Sequence, residues 1–525
     1  MFASIHSATV VDVDALPVMV EVDVAPGLQK VQLVGLPEGA VRESRVRVRS
    51  SMENAGFLFP AGQINVNLAP ADIRKEGTLF DLPIAIAMLA ADGVLDEKQL
   101  ALARQYLIAG ELSLEGQLRS IRGVLPLALC AREQGLRGVI VPYDNMEEAA
   151  LVVDAEVVGC RSLKEALSFL QGKSGATVKP APRAVETVMT EVQHYADFSD
   201  VRGQHRARRA LEIAAAGGHN LLMIGPPGSG KTMLARRFPS ILPAMTFEEA
   251  LETTRVYSVS GLTKPLTGLI TERPFRAPHH TISEVGVVGG GSGLPRPGEV
   301  SLSHNGVLFL DELPEFRRSV LEVLRQPLED GFVSITRSLV TVAYPARLML
   351  VASMNPCPCG HLGDRRHACR CHPQEIQRYR GRISGPLLDR IDLHVEVAAV
   401  DYGALKTSTP SESSAVIRGR VEHARARQRQ RFKGEEVHCN AQMGAGDLRR
   451  YCELNDDGHK LLAAAMDQLG LSARAWARVL KVARTIADLA GADSIQRAHV
   501  AEAIQLRSLD RNSTARSQES AAYTG

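Results

Sequence analysis

The stretch that most constrains this chain is Gly225-Pro226-Pro227-Gly228-Ser229-Gly230-Lys231-Thr232. It follows the apolar run Asn220-Leu221-Leu222-Met223-Ile224 and precedes Met233 to Phe238, a segment suited to a helix. Strand, glycine loop and helix start in that order form a phosphate cradle. Glycine lets backbone N–H groups close around the anion, and the helix N-terminus adds partial positive charge there. In such a loop Lys231 reaches the β- and γ-phosphates and the Thr232 hydroxyl ligates Mg2+, so residues 225–232 are the candidate nucleotide-binding set. The motif alone would also fit a glycine-rich turn carrying a surface lysine. A second stretch answers that alternative. Val307-Leu308-Phe309-Leu310 is too short for a typical helix, reads as a buried strand, and ends in Asp311-Glu312. Two adjacent acids at the end of an apolar strand are costly unless they meet a cation. Asp311 suits the Mg2+ shell and Glu312 the activation of an attacking water. The expected chemistry is ATP hydrolysis, with ATP and Mg2+ as cofactors.

Around this centre, 525 residues suggest two to four domains. A formal net charge of +2 means that any nucleic-acid surface must be local rather than global. No basic-then-apolar leader and no bilayer-length apolar run is found, so a cytoplasmic location without a membrane partner is the expectation. Eight cysteines in so long a chain do not make a disulfide scaffold; where they cluster matters more.

Before the glycine loop, Val18 to Val24, Val31 to Val34 and the alternating Gln63-Ile64-Asn65-Val66-Asn67-Leu68 read as strands. Helices are expected from about Glu38 to Asn54, Leu79 to Ala91 and Leu125 to Gln134, a hairpin from Leu112 to Ser120, and a strand at Gly138–Val141. This is an α+β domain. Ala109 to Leu118, Ile121-Arg122-Gly123-Val124, Val139 to Pro142 and Lys75-Glu76-Gly77 resemble the protease domain of Lon. That resemblance implies a Ser–Lys dyad, but Thr78-Leu79-Phe80-Asp81 and Leu125 stand where the serine and lysine are expected. The expectation is a Lon-like fold without proteolysis, used for assembly or binding. Gly172 to Val185 has the composition of a linker.

Asp197 to Gln204 resembles the segment that packs around adenine in AAA+ ATPases, which makes Gln204 a candidate nucleotide contact. Three adjacent glycines and two prolines between Gly286 and Gly298 are read as a flexible insertion without regular structure, and the His279-His280 pair before it has no partner cluster near in sequence. Leu328 to Ser338 alternates as a hairpin. It is similar to the pre-sensor hairpin of MCM helicases, which places Arg337 as the candidate DNA contact. Val351-Ala352-Ser353-Met354 is a strand leading to Asn355, which resembles the sensor 1 residue that positions water in AAA+ proteins. Next come Cys357-Pro358-Cys359 and Cys369-Arg370-Cys371, two C-x-C pairs whose four thiols suit structural zinc, although the common knuckle has wider spacing. Four reduced thiols on a loop is the other reading.

Ile383 to Leu393 resembles the arginine-finger motif of MCM proteins and magnesium chelatases, so that Arg390 would complete a neighbour's ATP site. Such a head-to-tail contact closes naturally into a ring. The arginine-rich run from Arg418 to Lys433 fits either a solvated helix face or a track along a phosphate backbone. Ser472-Ala473-Arg474-Ala475-Trp476 opens a helix similar to the sensor 2 helix of AAA+ lids, with Arg474 as the candidate γ-phosphate contact.

These carriers, with Gly35-Leu36-Pro37, Val41-Arg42-Glu43-Ser44, Val66 to Asp72 and Asn355 to Gly360, run almost end to end and resemble the YifB/ComM family of magnesium-chelatase-like AAA+ ATPases. The resemblance implies a homo-hexameric, ATP-driven motor on single-stranded and branched DNA, promoting branch migration of recombination intermediates in natural transformation, with recombinase–DNA filaments among its partners. A protein remodeller or metal-chelatase-type subunit is the alternative. The expected architecture is α/β and multidomain. It comprises a Lon-protease-like (ribosomal S5 domain 2-like) domain at 1–172, a linker at 173–195, and an AAA+ P-loop αβα core at 196–400 with a zinc-candidate insertion at 357–372. A helical lid at 401–510 and a disordered tail at 511–525 complete it.

Overall fold

A computed structural model describes residues 2–507 except 153, 181–195, 264–267, 292–294, 338–339, 365–366, 400–410, 436 and 470. The 511–525 tail and most of the expected linker therefore lie outside the described residues. The strands of the N-terminal part are β1 (Phe2–Val11), β2 (Asp14–Ala25), β3 (Lys30–Val34), β4 (Gln63–Ala69), β5 (Tyr106–Ile108), the short hairpin β6 (Glu111–Leu112) and β7 (Leu118–Arg119), β8 (Gly138–Pro142), β9 (Glu156–Cys160) and β10 (Thr177–Lys179). Eight of them form one mixed sheet in the order β10-β9-β8-β5-β1-β2-β4-β3. In β4 the alternation seen in the sequence becomes burial of Ile64, Val66 and Leu68 on one face. The helix Asp81–Ala91 is buried along its whole length, as its nearly unbroken apolar sequence requires. Its one charge, Asp81, is paired with Arg47 at 2.8 Å.

The second sheet is built from β11 (Leu221–Ile224), β12 (Phe275–Arg276), β15 (Val307–Leu310), β18 (Met349–Met354) and β19 (Leu393–Glu396), with the small ladder β13 (Gly289–Gly290) and β14 (Arg296–Pro297) and the hairpin β16 (Phe332–Arg337) and β17 (Val340–Pro345) outside it. Its order is β12-β15-β18-β11-β19 and every pairing is parallel. β11, β15 and β18 are entirely buried, as expected of strands covered on both faces. Residues that leave the C-terminal ends of adjacent parallel strands meet at one edge, which is where such sheets bind ligands. Helices Ser414–Arg431, Ala445–Tyr451, Asp456–Leu469, Ala473–Leu489 and Arg497–Gln505 form the C-terminal part.

Four expectations are revised. Thr177–Lys179 pairs with β9 as the edge strand of the N-terminal sheet, so the sheet reaches into the stretch assigned to the linker. The Gly286–Gly298 region does hold regular structure: the helix Glu284–Val288 runs into the β13–β14 ladder, where Gly289 at φ +106 lies against the Arg296 carbonyl and leaves no space for a Cβ. The hairpin starts later than its alternation suggested, because Leu328 to Asp330 finish the helix Arg325–Asp330, and Gly331 at φ +74 turns the chain into β16. Finally, most of the 418–433 arginines have partners within the chain, which neither reading of the run foresaw. Arg418 donates to the Ser240 carbonyl, Arg420 pairs with Glu212 and Glu412, Arg425 donates to the Ala215 carbonyl, Arg427 pairs with Asp493, and Arg431 pairs with Asp488. Most of this run fastens the C-terminal helices to the nucleotide core and to one another.

The helix Phe247–Ser260 joins the two sheets. Ala250 belongs to the N-terminal hydrophobic core, Arg255 is ion-paired with Asp14, and Ser258 and Thr263 both donate to the buried carboxylate of Glu148. Its polar sequence gave no sign of that role.

Candidate nucleotide site and cysteine cluster

The glycine loop lies between β11 and the helix Lys231–Arg237. Gly228 and Gly230 sit at φ +74 and +92, in the region that favours glycine, and a Cβ at Gly228 would meet nothing within 4 Å. The loop is thus open on its outer side. Gly225 is packed tightly, with its Cα hydrogens against the Val397 carbonyl. Lys231 Nζ donates to the carbonyl oxygens of Gly225 at 2.7 Å and Pro226 at 3.0 Å, and to Asn355 Oδ1 at 3.2 Å. Burial lowers its pKa, opposed by the nearby Asp311 and Glu312 carboxylates. A buried ammonium resting on backbone carbonyls is poised for a stronger anionic partner. Ser229 Oγ, also buried, has no hydrogen-bond partner. An unpartnered buried hydroxyl and an ammonium held only by neutral oxygens, beside an open loop, fit the triphosphate of a nucleotide.

Thr232 Oγ1 donates to Asp311 Oδ2 at 2.7 Å, so the two expected Mg2+ ligands are already side by side. Ser353 donates to the other Asp311 oxygen, and the Glu312 N–H reaches both Asp311 Oδ1 and Ser353 Oγ. Glu312 has φ +54, an uncommon conformation for a residue with a side chain, held by these contacts at the strand end. Ser353 was not singled out in the sequence. Its signal was available, since strand periodicity places it on the same side as Asn355. Gln204 is likewise at φ +56, and its Nε2 donates to the Ser229 and Ala398 carbonyls, fastening the glycine loop to the end of β19.

Arg390 and Arg474 lie outside this group. Arg390 is 6 % exposed, donates to the Pro386 carbonyl, and is ion-paired with Glu329. Burial, together with Arg325, Arg474 and Arg478, lowers its pKa. Arg474 begins the helix Ala473–Leu489, which Ser472 caps by accepting from the Ala475 N–H. A groove of about 550 Å3 lined by Glu322, Arg325, Glu329, Val333, Ser334 and Arg390 runs beside the hairpin base. Arg337 ends β16 opposite Val340, next to the tip, with the tip itself among the undescribed residues. Asp392, two residues beyond Arg390, is buried and bound to Arg478, His219 and the Asn220 N–H. Burial alone would raise its pKa, but Arg478 and His219 bring it well below the usual carboxylate range.

The four cysteines converge. Their sulfurs lie within 4.8 Å of one another, with Cys357 Sγ 3.4 Å from Cys359 Sγ and both 3.6 Å from Cys369 Sγ. Zinc–thiolate bonds of about 2.3 Å in a tetrahedron place sulfurs about 3.8 Å apart, so the donor set fits that ion. The backbone N–H groups of His361 and Arg370 pull the Cys359 thiol down to about 6, whereas, against a backbone N–H on each, the thiols packed beside them push Cys369 up and Cys371 up to about 12. Beside it, His361, Asp364 and His367 form a second group able to hold a cation, which the sequence reading passed over.

A parallel sheet with a glycine loop after one strand, and a carboxylate from the strand two places away meeting that loop's threonine, defines a P-loop protein of the αβα kind. Comparison with known proteins narrows this class. Residues 197–405 match the family model for magnesium chelatase, subunit ChlI, residues 20–145 that for subunit ChlI of Mg-chelatase, and residues 411–507 that for the ChlI C-terminal region. The chain is similar to YifB of Escherichia coli strain K12, 46% identical over 508 residues covering 97% of each chain. It is similar to the competence protein ComM of Haemophilus influenzae, 45% identical over 517 residues covering 97% of this chain and 98% of that one. A shorter match, 30% identical over 146 residues and a quarter of each chain, is to Lon protease 2 of Bacillus subtilis. The chain belongs to the YifB/ComM family of magnesium-chelatase-like proteins. No helix among the described residues is long and apolar enough to cross a membrane.

Proposed function

We propose that this protein is an ATP-driven motor that works as a homo-hexameric ring on single-stranded and branched DNA, driving branch migration during the integration of incoming DNA. The observation that carries the reading is the split between the two clusters just described. Lys231, Thr232, Asp311 and Asn355 converge, while Arg390 and Arg474 lie apart from them. Residues 225–232 would hold the ATP phosphates, with Thr232 and Asp311 holding Mg2+, which neutralises charge on the reacting phosphate when bound. Lys231 exchanges its carbonyl partners for phosphate oxygens. Glu312 orients and deprotonates the attacking water, and Asn355 holds that water in line. Gln204 keeps the loop fastened to the sheet edge. Arg390 acts on a neighbouring subunit's nucleotide, which makes the ring a chemical requirement, and Arg474 is the proposed sensor 2 contact to the γ-phosphate.

The N-terminal sheet is read as a Lon-like module without proteolytic chemistry, placed against the motor through the Phe247–Ser260 helix. Arg337, beside the hairpin tip, is the proposed DNA contact, and the similarity to ComM supports a role in competence in the cytoplasm, with recombinase–DNA filaments as the substrate assembly. The family models, named for magnesium chelatase, favour one competitor: the same motor working on a protein or chelatase client. The deciding measurement is ATP hydrolysis with no DNA, with single-stranded DNA and with a four-way junction. Stimulation by DNA that disappears in Arg337→Ala is the expected result; equal rates in all three, from an assembled ring, give the competitor the better case.

A further inference from the structure

The cysteine cluster is built directly onto the nucleotide site. β18 ends at Met354, whose carbonyl accepts from the Gly225 N–H at the start of the glycine loop. The next residue, Asn355, accepts from Lys231 at 3.2 Å, and two residues later Cys357 is fully buried. Gly360, at φ +83 between the two cysteine pairs, lies flat against Pro227 of the glycine loop, and a Cβ there would come within 2.5 Å of Pro227 Cδ. The other end of the segment is held as well. The helix Pro373–Arg380 starts two residues after Cys371, and its Arg380 donates through Nε and Nη2 to the Pro356 carbonyl at 3.2 and 3.1 Å. The segment between Pro358 and Cys371 is otherwise polar, and its one large apolar side chain, Leu362, is 37 % exposed. A polar loop of this kind has no core of its own, so its shape depends on a cross-link.

We propose that a zinc ion held by Cys357, Cys359, Cys369 and Cys371 is a positioning element of the nucleotide site: it fixes the loop that presses Gly360 onto Pro227 and sets Asn355 against Lys231. This rests on reading the glycine loop as the ATP site. The metal does no chemistry there. It gives the glycine loop a rigid wall, so that the phosphate cradle and Asn355 are preorganised before nucleotide arrives.

The test uses the full chain as purified. Zinc content is measured by mass spectrometry, affinity by titration with a fluorescent ATP analogue, and folding by circular dichroism and thermal melting. About one zinc per chain is expected from a closed four-thiolate site. Removing it with a chelator should weaken analogue binding about tenfold or more, with the two sheets still folded and affinity restored by added zinc. Cys369→Ser should behave like the chelated protein. Gly360→Ala removes no thiol, so it should keep its zinc yet lose affinity, because the added methyl drives into Pro227. Protein that carries no zinc when purified, metal-free folded protein with undiminished affinity, or Gly360→Ala binding like the native chain would each overturn the proposal. Lys231→Ala in the zinc-loaded protein separates this from the reading beneath it: if that variant binds the analogue normally, the nucleotide site itself has been misplaced.

Discussion

Two charged clusters in this molecule are organised in different ways. Around the glycine loop, Lys231, Thr232, Asp311, Ser353 and Asn355 bond to one another at the ends of three adjacent parallel strands. Around Arg390, arginines crowd together, with Arg390 paired to Glu329, Arg325 to Glu322 and Arg478 to Asp392; Arg474 adds a further positive charge nearby, and Arg390 Nε has no hydrogen-bond partner. The first cluster is closed within one chain except for the anion it awaits. The second is a group of arginines most of which are paired with carboxylates of their own chain, at a distance from the glycine loop. Under the proposed ring, the first cluster would act within its own chain and the second across a subunit contact, so the two should respond differently to substitution.

The largest effect should come from breaking the closed cluster. Lys231→Ala should abolish ATP turnover measured by phosphate release, and Glu312→Gln should bind ATP but fail to hydrolyse it; turnover at the native rate in either would end the motor assignment. Next is the open cluster. Arg390→Ala should leave nucleotide affinity close to native and lower the ring's hydrolysis rate by about 10³-fold or more, the usual worth of an arginine finger. A drop in affinity without a drop in rate would mean that Arg390 serves its own chain.

A smaller effect tests the buried ion pair that Asp392 makes with Arg478. Asp392→Asn removes the buried carboxylate that faces Arg478 and His219, and should cost about 3 kcal/mol of stability in a denaturant melt. Because the folded Asp392 has a lowered pKa, its contribution is present above the unfolded carboxylate value of about 3.9 and is lost as the pH falls below it. The variant should therefore lose less stability on acidification than the native protein; parallel acid profiles would argue that the pairing contributes nothing. The smallest effect should be that of Glu329→Gln, which releases Arg390 from its partner. Glu329 is half exposed, so the pair is worth about 1 kcal/mol at most, and basal ATPase of the ring should rise by no more than about fivefold. An unchanged rate would show that Glu329 does not restrain the finger.

Much of the closed cluster was legible in the sequence, because one short apolar run leads into the glycine loop that carries Lys231 and two others run directly into Asp311 and Asn355. Ser353 was missed, since a serine inside a strand looks like filler until its neighbour on the sheet is known. The partners of the arginines from 418 to 431 were not legible for a related reason. Their acceptors, at Ser240, Glu212, Ala215 and Asp488, are supplied by other elements, and a run of like charge carries no record of what faces it. Glycine was a better guide to close approach than to flexibility. The Gly286–Gly298 region is ordered in part because Gly289 lets two strands touch.

By itself, the sequence determined the local devices: a loop able to wrap a phosphate, strand ends able to hold a cation, and four thiols spaced closely enough to meet. These follow from residue type and from spacings of a few residues. The tertiary structure alone decided which devices act together. It set the Cys357–Cys371 loop against Pro227, turned a polar helix into the joint between two sheets, and placed Arg390 on Glu329 away from Lys231. Those relations depend on contacts between residues far apart in the chain, and such contacts are set by how the sheets and helices bury their apolar faces.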